Sequence, residues 1–128
     1  MGNETCVIAI VDDEELVRTS LQRLLKMVGY SVAEFTSAED LLKSGRLQDV
    51  RCLIADIRMP GMSGLDLQSE LNAEDYQIPI IFITAHGDEK MRIRAMRDGA
   101  VSFLAKPFDN TALLDRVRVC LNATQDEE

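Results

Sequence analysis

Four apolar runs in this sequence each end at a polar residue, and the polar groups complement one another chemically. The first run ends at the carboxylates of Asp12 and Asp13, and the second ends at Asp56. The third ends at the hydroxyl of Thr84 and the fourth at the amine of Lys106. If the runs are neighbouring parallel strands, their carboxyl ends lie at one edge of a sheet, where open α/β sheets bind ligands. The pattern therefore predicts a site for a divalent metal ion and a phosphoryl group.

The acidic residues of this set point to a magnesium ion. Three carboxylates at one point repel one another, so a cation is needed to hold them together. Ligands that are all oxygen favour a hard ion, and Mg²⁺ binds through one or two carboxylates with water and phosphate oxygens. Asp12 and Asp13 could instead cap a following helix, whose dipole favours negative charge. Asp56 caps no evident helix, so the prediction depends on the joint placement of all the polar residues.

The elements that would position these residues alternate between strand and helix. Apolar runs predict strands at residues 7–11, 31–35, 52–55, 80–83 and 101–104. Helical periodicity and end signals predict helices at 14–28, 37 to about 45, 64–72, 89–97 and from 109 or 110 to about 120. Such alternation predicts an α/β fold with a parallel sheet and helices on both faces. We expect a flavodoxin-like, doubly wound (βα)5 fold with strand order 2-1-3-4-5, which makes strands 1 and 3 neighbours.

Composition restricts the class of protein. The 128 residues are 46% hydrophobic, which indicates a folded domain rather than a disordered tail. The sequence has neither an apolar stretch long enough for a membrane span nor a signal peptide pattern. Cys6, Cys52 and Cys120 stand among apolar residues, which favours buried, reduced thiols and a cytoplasmic location. The net charge of −8 argues against direct contact with nucleic acid.

The motifs together resemble those of receiver domains in bacterial two-component response regulators. They are Val11-Asp12-Asp13-Glu14, Asp56-Ile-Arg-Met-Pro-Gly-Met-Ser-Gly64, Ile83-Thr84-Ala85 and Lys106-Pro107-Phe108. The resemblance covers almost the whole chain. The surroundings of Arg58, of His86-Gly87 and of residues 103–108 are most similar to the FixJ-type subgroup.

This resemblance implies a role for each residue of the predicted site. Asp56 would be the phosphoacceptor and would attack a phosphohistidine on a sensor histidine kinase. Mg²⁺ would be bound by Asp13, Asp56 and the backbone carbonyl of Arg58, with Asp12 acting through water. The ion and Lys106 would offset charge on the transferring phosphoryl group. The domain would promote its own phosphorylation and dephosphorylation without turning over an external substrate.

The resemblance also implies a conformational switch. Thr84 would donate its hydroxyl to the phosphoryl group, and Phe103 would rotate into the space that Thr84 leaves. The fourth helix, fifth strand and fifth helix would then form a phosphorylation-dependent homodimer. This face combines basic and apolar residues of the fourth helix with charges on the fifth: Lys90, Met91, Arg92, Ile93, Arg94, Met96, Arg97, Asp115, Arg116 and Arg118. A solvated charged helix face is the alternative explanation of that pattern.

The division of the chain follows from the same resemblance. Residues 1–121 would form the receiver domain, and residues 122–128 a frayed C-terminus or the start of a linker. An output domain absent from this chain, expected to be a DNA-binding transcription regulator, would receive the signal. The Lys106–Pro107 bond is a candidate for the cis isomer. His86 and Arg58 could limit water access to the phosphoryl group, or they could be ordinary loop residues.

Three other classes of protein remain open at this point. A Mg²⁺-dependent phosphohydrolase would be expected to carry a second acid two residues after its nucleophile, where this chain has Arg58. A receiver fold could serve only for protein binding, although such chains commonly lose one of the site residues. A nucleotide-binding flavodoxin-like protein would be expected to have a glycine-rich loop after the first strand, which this sequence lacks.

Overall fold

Strands and helices alternate through residues 7–85 and 87–126, the part of the chain that this computed structural model describes, with side chains described as far as Asn122. The strands are β1 (Val7–Val11), β2 (Val32–Phe35), β3 (Val50–Asp56), β4 (Ile80–Thr84) and β5 (Ser102–Ala105). The helices are α1 (Glu15–Met27), α2 (Ala38–Lys43), α3 (Gly64–Ala73), α4 (Glu89–Arg97) and α5 (Asn110–Asp126). A short 3₁₀ helix at Leu47–Asp49 precedes β3.

The five strands form one parallel sheet with the order β2-β1-β3-β4-β5. This confirms the predicted α/β fold and the predicted strand order. Val11 at the end of β1 pairs with Ala55 of β3, and Thr84 at the end of β4 pairs with Ala105 of β5. The register therefore brings the carboxyl ends of four strands to one edge of the sheet, as the position of the polar residues required.

The sheet is rigid because both of its faces are covered by apolar layers. One layer contains Leu53 and Phe82, which pack with apolar side chains of α2 and α3. The opposite layer contains Ile10 and Ile54, which pack with α1 and α5 through residues such as Leu21, Leu25, Leu113 and Val117. Each fully buried leucine or isoleucine contributes about 1.5–3 kcal/mol relative to an exposed one. The central strands thus form a fixed support for the residues that follow them.

Some element bounds differ from those that the sequence predicted. β3 begins at Val50 rather than at Cys52, because Val50 pairs with Val7 and is buried even though Arg51 interrupts the apolar run. β5 lies at 102–105 rather than 101–104. α5 continues to Asp126 instead of ending near Cys120, since no glycine or proline interrupts the helix there. Within the described part of the chain, no helix is both long and apolar enough to cross a membrane.

Two of the three cysteines lie in the apolar layer between the sheet and helices α1 and α5. Cys52 on β3 and Cys120 on α5 are both buried and are free thiols. A hydrogen bond with Cys120 and burial raise the pKa of the Cys52 thiol well above its ordinary value. The predicted buried, reduced thiols are confirmed for this pair, while Cys6 lies outside the described residues.

The start of α3 is pressed against the end of β3, and this contact generates a prediction. A Cβ atom on Gly64 would lie 2.3 Å from the carbonyl oxygen of Asp56 and 3.0 Å from the Cα of Ile57. Gly64→Ala is expected to lower the free energy of unfolding by about 3 kcal/mol, because backbone atoms must separate. Gly45→Ala is the control, since its φ of +73° is strained for alanine but its new Cβ would contact nothing within 4 Å. That variant should cost only about 1 kcal/mol, and equal losses in urea unfolding would contradict the prediction.

Candidate metal and phosphoryl site

The predicted acidic residues converge at the carboxyl ends of β1 and β3. One carboxylate oxygen each from Asp12, Asp13 and Asp56 lies within 4.8 Å of the others. Asp12 is fully buried and Asp56 is 5% exposed, whereas Asp13 is open to solvent. The pairing of Val11 with Ala55 explains the convergence, because Asp12 and Asp56 are the next residues on two neighbouring strands.

Lys106 reaches this acidic cluster from the end of β5. Its Nζ donates hydrogen bonds of 2.8 Å to Asp56 Oδ2 and 2.8 Å to Glu14 Oε1, and it lies 3.1 Å from Asp12 Oδ2. The lysine side chain is 10% exposed, so solvent screens these contacts incompletely. The backbone N–H of Lys106 donates to the carbonyl of Thr84 at 3.0 Å, which extends the pairing of β4 with β5. The sheet register therefore places the ammonium group between the carboxylates.

A cavity of about 190 Å³ lies between these residues at the edge of the sheet. Its lining includes most of the predicted site and the residues beside it: Asp13, Glu14, Asp56, Arg58, Thr84, Ala85 and Lys106. Thr84, at the end of β4, is 2% exposed. Asp12 does not line the cavity. The carboxylate of Asp56 is thus open to a ligand in this cavity, whereas that of Asp12 is buried beside it.

The electrostatic environment of Asp12 suits a cation. Burial raises the pKa of this carboxyl group, and nearby Asp56 raises it further, while the Glu14 N–H and the Lys106 ammonium act in the opposite direction. Apart from Lys106 Nζ at 3.1 Å, Asp12 Oδ2 has no hydrogen-bond partner among the described residues. A buried carboxylate oxygen in this state has lone pairs available to a metal ion or to water bound by one. The three carboxylates therefore fit a hard divalent cation such as Mg²⁺.

The neighbouring carboxylates keep the side chain of Lys106 protonated. Burial alone would lower the pKa of Lys106, but hydrogen bonds to Asp56, Glu14 and Asp12 outweigh that effect and raise it. When the pKa of a lysine is higher in the folded than in the unfolded protein, its charge stabilises the fold at pH values below the pKa of the unfolded state. This stabilisation is lost as the pH rises through the pKa of the folded state. Lys106 consequently remains a cation throughout the neutral range.

The alternative role of Asp12 and Asp13 as helix caps holds only in part. Asp12 Oδ1 accepts a hydrogen bond of 2.9 Å from the N–H of Glu14. The N-cap residue of α1 is Glu14 itself, and its side chain makes no capping bond. One oxygen of Asp12 therefore supports the start of α1 while the other faces the acidic cluster.

Two residues near the site were not predicted from the sequence. Glu14 was assigned to the start of a helix, yet its carboxylate bonds to Lys106, 92 residues further along the chain. Arg18 donates from Nη1 to the backbone carbonyl of Asp12 at 2.8 Å and so holds the end of β1. The position of Glu14 beside Asp12 and Asp13 was the available signal, because a third consecutive acid needs a nearby cation.

Among the remaining predicted residues, the structure describes Arg58, Phe103 and Pro107. Arg58 is exposed, and its backbone N–H donates to Asp56 Oδ1 at 3.3 Å. Phe103 on β5 is half-buried and packs on the apolar layer that contains Phe82. The Lys106–Pro107 peptide bond is cis. His86 lies outside the described residues.

Gly87 brings the two predicted switch residues together. A Cβ atom on Gly87 would lie 2.6 Å from Thr84 Cγ2 and 2.8 Å from Phe103 Cε1. The loop after β4 therefore lies directly against both side chains. A movement of the Thr84 or Phe103 side chain toward Gly87 would therefore meet the backbone there, because two atoms cannot occupy the same space.

Comparison with known sequences shows which family this chain resembles. The family model for the response regulator receiver domain matches residues 8–118. Nodulation protein W of Bradyrhizobium diazoefficiens is 48% identical over 111 residues, which are 87% of this chain and 49% of that protein. The transcriptional regulatory protein FixJ of Azorhizobium caulinodans is 40% identical over 124 residues, 97% of this chain and 59% of that protein. The chain thus spans about half the length of the curated relatives it matches.

Solved structures agree with the sequence comparison. The response regulator StyR superposes with a TM-score of 0.88 at 45% identity, over 94% of this chain and 61% of that one. The crystal structure of FixJ-N superposes with a TM-score of 0.82 at 42% identity, over 91% of this chain and 94% of that one.

The burial of the Asp12 carboxylate, with Asp56 beside it, predicts a gain in stability when the charge of Asp12 is removed. A carboxyl group whose pKa is raised by folding costs stability above that pKa. Asp12→Asn keeps an acceptor for the Glu14 N–H, so in metal-free protein near pH 7 it should raise the free energy of unfolding by about 1 kcal/mol. Glu70→Gln, which removes the same charge from an exposed position on α3, is the control and should change little. A loss of stability in Asp12→Asn during urea unfolding, or a gain no larger than the control's, would contradict the prediction.

Proposed function

The chain belongs to the response regulator receiver domain family, and we propose that it is the phosphoacceptor module of a two-component regulator. In this proposal a phosphoryl group passes from a phosphohistidine of a sensor histidine kinase to Asp56 in the presence of Mg²⁺. The principal support is the arrangement of Asp56 itself. Its carboxylate borders a cavity, bonds to Lys106 at 2.8 Å and belongs to a cluster of three carboxylates.

The proposed reaction is a transfer between two nucleophiles. An Asp56 oxygen forms a bond to phosphorus as the bond from phosphorus to the histidine nitrogen breaks, and the product is an acyl phosphate. Asp56 is the proposed acceptor because it is held on both oxygens and also lines the cavity. Asp12 does not line the cavity, and Asp13 is exposed, so neither has both properties.

Other residues would stabilise the charge that moves in this reaction. Asp13, Asp56 and the backbone carbonyl of Arg58 would hold Mg²⁺, with Asp12 acting through water. When bound, the ion neutralises part of the negative charge that accumulates on the phosphoryl group. Lys106 is a cation that already lies against Asp56, so it can contact a phosphoryl oxygen there without a large rearrangement.

The proposed switch joins this site to the face formed by α4, β5 and α5. Thr84 would donate its hydroxyl to the phosphoryl group, and Phe103 would move inward. The contacts of Thr84 and Phe103 with the position of Gly87 support a coupled movement, since all three share one small space. Phosphorylation would shift the population toward the form in which these contacts are rearranged.

The output of the switch is also part of the proposal. Relatives of this chain include proteins named as transcriptional regulatory proteins, and the matched segments cover only 59% and 52% of their lengths. We propose residues 1–121 as the receiver domain and residues 122–128 as the start of a linker to a DNA-binding output domain. The receiver would act in the cytoplasm without touching nucleic acid. Receiver domains of regulators generally do not turn over external substrates, and Arg58 in place of a second acid agrees with this.

The proposed dimer face is supported more by apolar exposure than by complementary charge. Ile93 and Met96 on α4 are 52% and 38% exposed, and Val119 on α5 is 46% exposed. Arg118 and Asp115 form an ion pair within α5, so these two charges already have partners in the single chain. α4 and α5 pack on opposite faces of the sheet beside its edge strand β5, and an interface formed along this edge would cover the exposed apolar residues of both helices.

The phosphoacceptor role predicts a specific covalent product. Incubation with Mg²⁺ and acetyl phosphate should add one phosphoryl group to the wild type, and hydroxylamine should remove it, because that reagent cleaves acyl phosphates. Asp56→Asn should remain unmodified, while Glu70→Gln should be modified like the wild type. Intact mass spectrometry measures all three. A wild type that binds Mg²⁺ but gains no adduct would overturn the proposal in favour of a protein-binding module.

The dimer face predicts association that depends on phosphorylation. The phosphorylated wild type should sediment as a dimer at micromolar concentration and the free form as a monomer. Ile93→Asp should keep the phosphorylated form monomeric, because a charge would be buried at the contact. Met27→Asp is the matched control, since Met27 is 80% exposed at the end of α1, outside α4, β5 and α5. Equal sedimentation of the phosphorylated and free wild type would exclude the dimer.

A further inference from the structure

The loop between β3 and α3 is held firmly at its base. It covers residues 57–63 and carries the backbone carbonyl of Arg58, the proposed metal ligand outside the carboxylates. The N–H of Gly64 donates to the carbonyl of Ile57 at 2.9 Å, and Gly64 itself lies against the backbone of Asp56. Met59 is buried in the apolar layer. At the far end of the loop Met62 packs partly buried on the same layer and Ser63 caps α3 by exchanging hydrogen bonds with Asp66, and a further contact is made beside them.

A carboxylate from another helix holds that far end. Glu39 on α2 accepts a hydrogen bond of 3.0 Å from the backbone N–H of Met62, 23 residues away in sequence. The same oxygen lies against Gly61, where an added Cβ would be 2.8 Å from it. Gly61 has a φ of +78°, a conformation that glycine adopts without strain. The turn at Gly61 and Met62 is thus shaped around the carboxylate of Glu39.

Glu39 is charged and rests on a fixed support. The hydrogen bond from the Met62 N–H, followed by one from its own backbone N–H, keeps the pKa of this carboxyl group below its ordinary value. The helix that carries it is anchored by Ala38 and Leu41, both fully buried. The Ser37 side chain caps the same helix by accepting from the N–H of Asp40 at 3.0 Å. A hydrogen bond to an ionised acceptor is stronger than a neutral one, so this contact can order the loop.

We propose that Glu39 is a positioning residue for the Mg²⁺ site, acting through the loop that carries the Arg58 carbonyl. This inference rests on the proposed function, because it assumes that this carbonyl binds the ion. Without the Glu39 contact the turn at Gly61 and Met62 keeps the packing of the Met62 side chain and the cap at Ser63 but loses the only hydrogen bond that the structure describes for the Met62 N–H. The turn is then less ordered, and part of the entropy cost of ordering it is added to each metal-binding event. Glu39 itself touches neither the three carboxylates nor Lys106 through any of its hydrogen bonds described above.

The experiment compares three variants by isothermal titration of metal-free protein with MgCl₂. Glu39→Ala should raise the dissociation constant for Mg²⁺ on the order of threefold to tenfold, less than the whole contribution of a hydrogen bond to a charged group, because Glu39 acts on only one of the proposed ligands. Glu39→Gln should lie between Glu39→Ala and the wild type, because its amide oxygen can still accept from Met62. Glu70→Ala removes the same charge from an exposed site on α3 and should bind Mg²⁺ like the wild type.

Phosphorylation by acetyl phosphate provides a second readout. The rate for Glu39→Ala should be low at limiting Mg²⁺ and should recover at saturating Mg²⁺, which a general loss of structure would not allow. Glu39→Ala with the Mg²⁺ affinity of Glu70→Ala would overturn the inference, as would a rate that stays low at saturating Mg²⁺. If Glu39→Ala does not fold, Glu39→Gln decides by the same two criteria.

These outcomes are separate from failure of the proposed function. A wild type that acquires no phosphoryl group at Asp56 removes the function and, with it, the basis of this inference. A wild type that is phosphorylated with the usual Mg²⁺ requirement, beside a Glu39→Ala variant with unchanged Mg²⁺ affinity, removes the role of Glu39 alone.

Discussion

One ammonium group shared by three carboxylates is the interaction on which the proposed chemistry depends. Lys106 lies within 3.1 Å of Asp12, Glu14 and Asp56, and its side chain is 10% exposed. A single positive charge does not balance three negative ones, so the site keeps an attraction for a further cation. The same ammonium group lies against the carboxylate that borders the cavity. The same cluster of charges would thus attract a metal ion and place the Lys106 ammonium group beside a phosphoryl group on Asp56.

The fold supplies the precision that this arrangement needs. Charges placed 3 Å apart in a partly buried site must be held by elements that do not move, since losing one partner leaves another charge uncompensated. β1 and β4 are buried along their whole lengths and β3 at every residue except Arg51, and their register brings Asp12, Asp56 and Thr84 to one edge of the sheet. In the proposed function this register would keep the acceptor site in place while a change passes from Thr84 to Phe103.

Local patterns predicted the sheet and its polar edge well, because both follow from short stretches of sequence. An apolar run that ends in an aspartate can be identified without knowing its neighbours, and alternation with helices then determines the strand order. The extension of α5 to Asp126 was missed, because a helix without a breaking residue gives no local stop signal. The contacts of Glu14 with Lys106 and of Glu39 with Met62 were missed for another reason. They join residues 92 and 23 positions apart, and only the packed structure determines how far each side chain reaches.

Asp56 is the proposed phosphoacceptor among three neighbouring carboxylates, and mapping the modified residue distinguishes it from Asp12 and Asp13. Borohydride reduces an aspartyl phosphate to homoserine, which peptide mass spectrometry can locate in the chain. After treatment with Mg²⁺ and acetyl phosphate, and then with borohydride, we expect homoserine at position 56 and unmodified aspartate at positions 12 and 13. Homoserine at Asp12 or Asp13, with Asp56 unchanged, would contradict it.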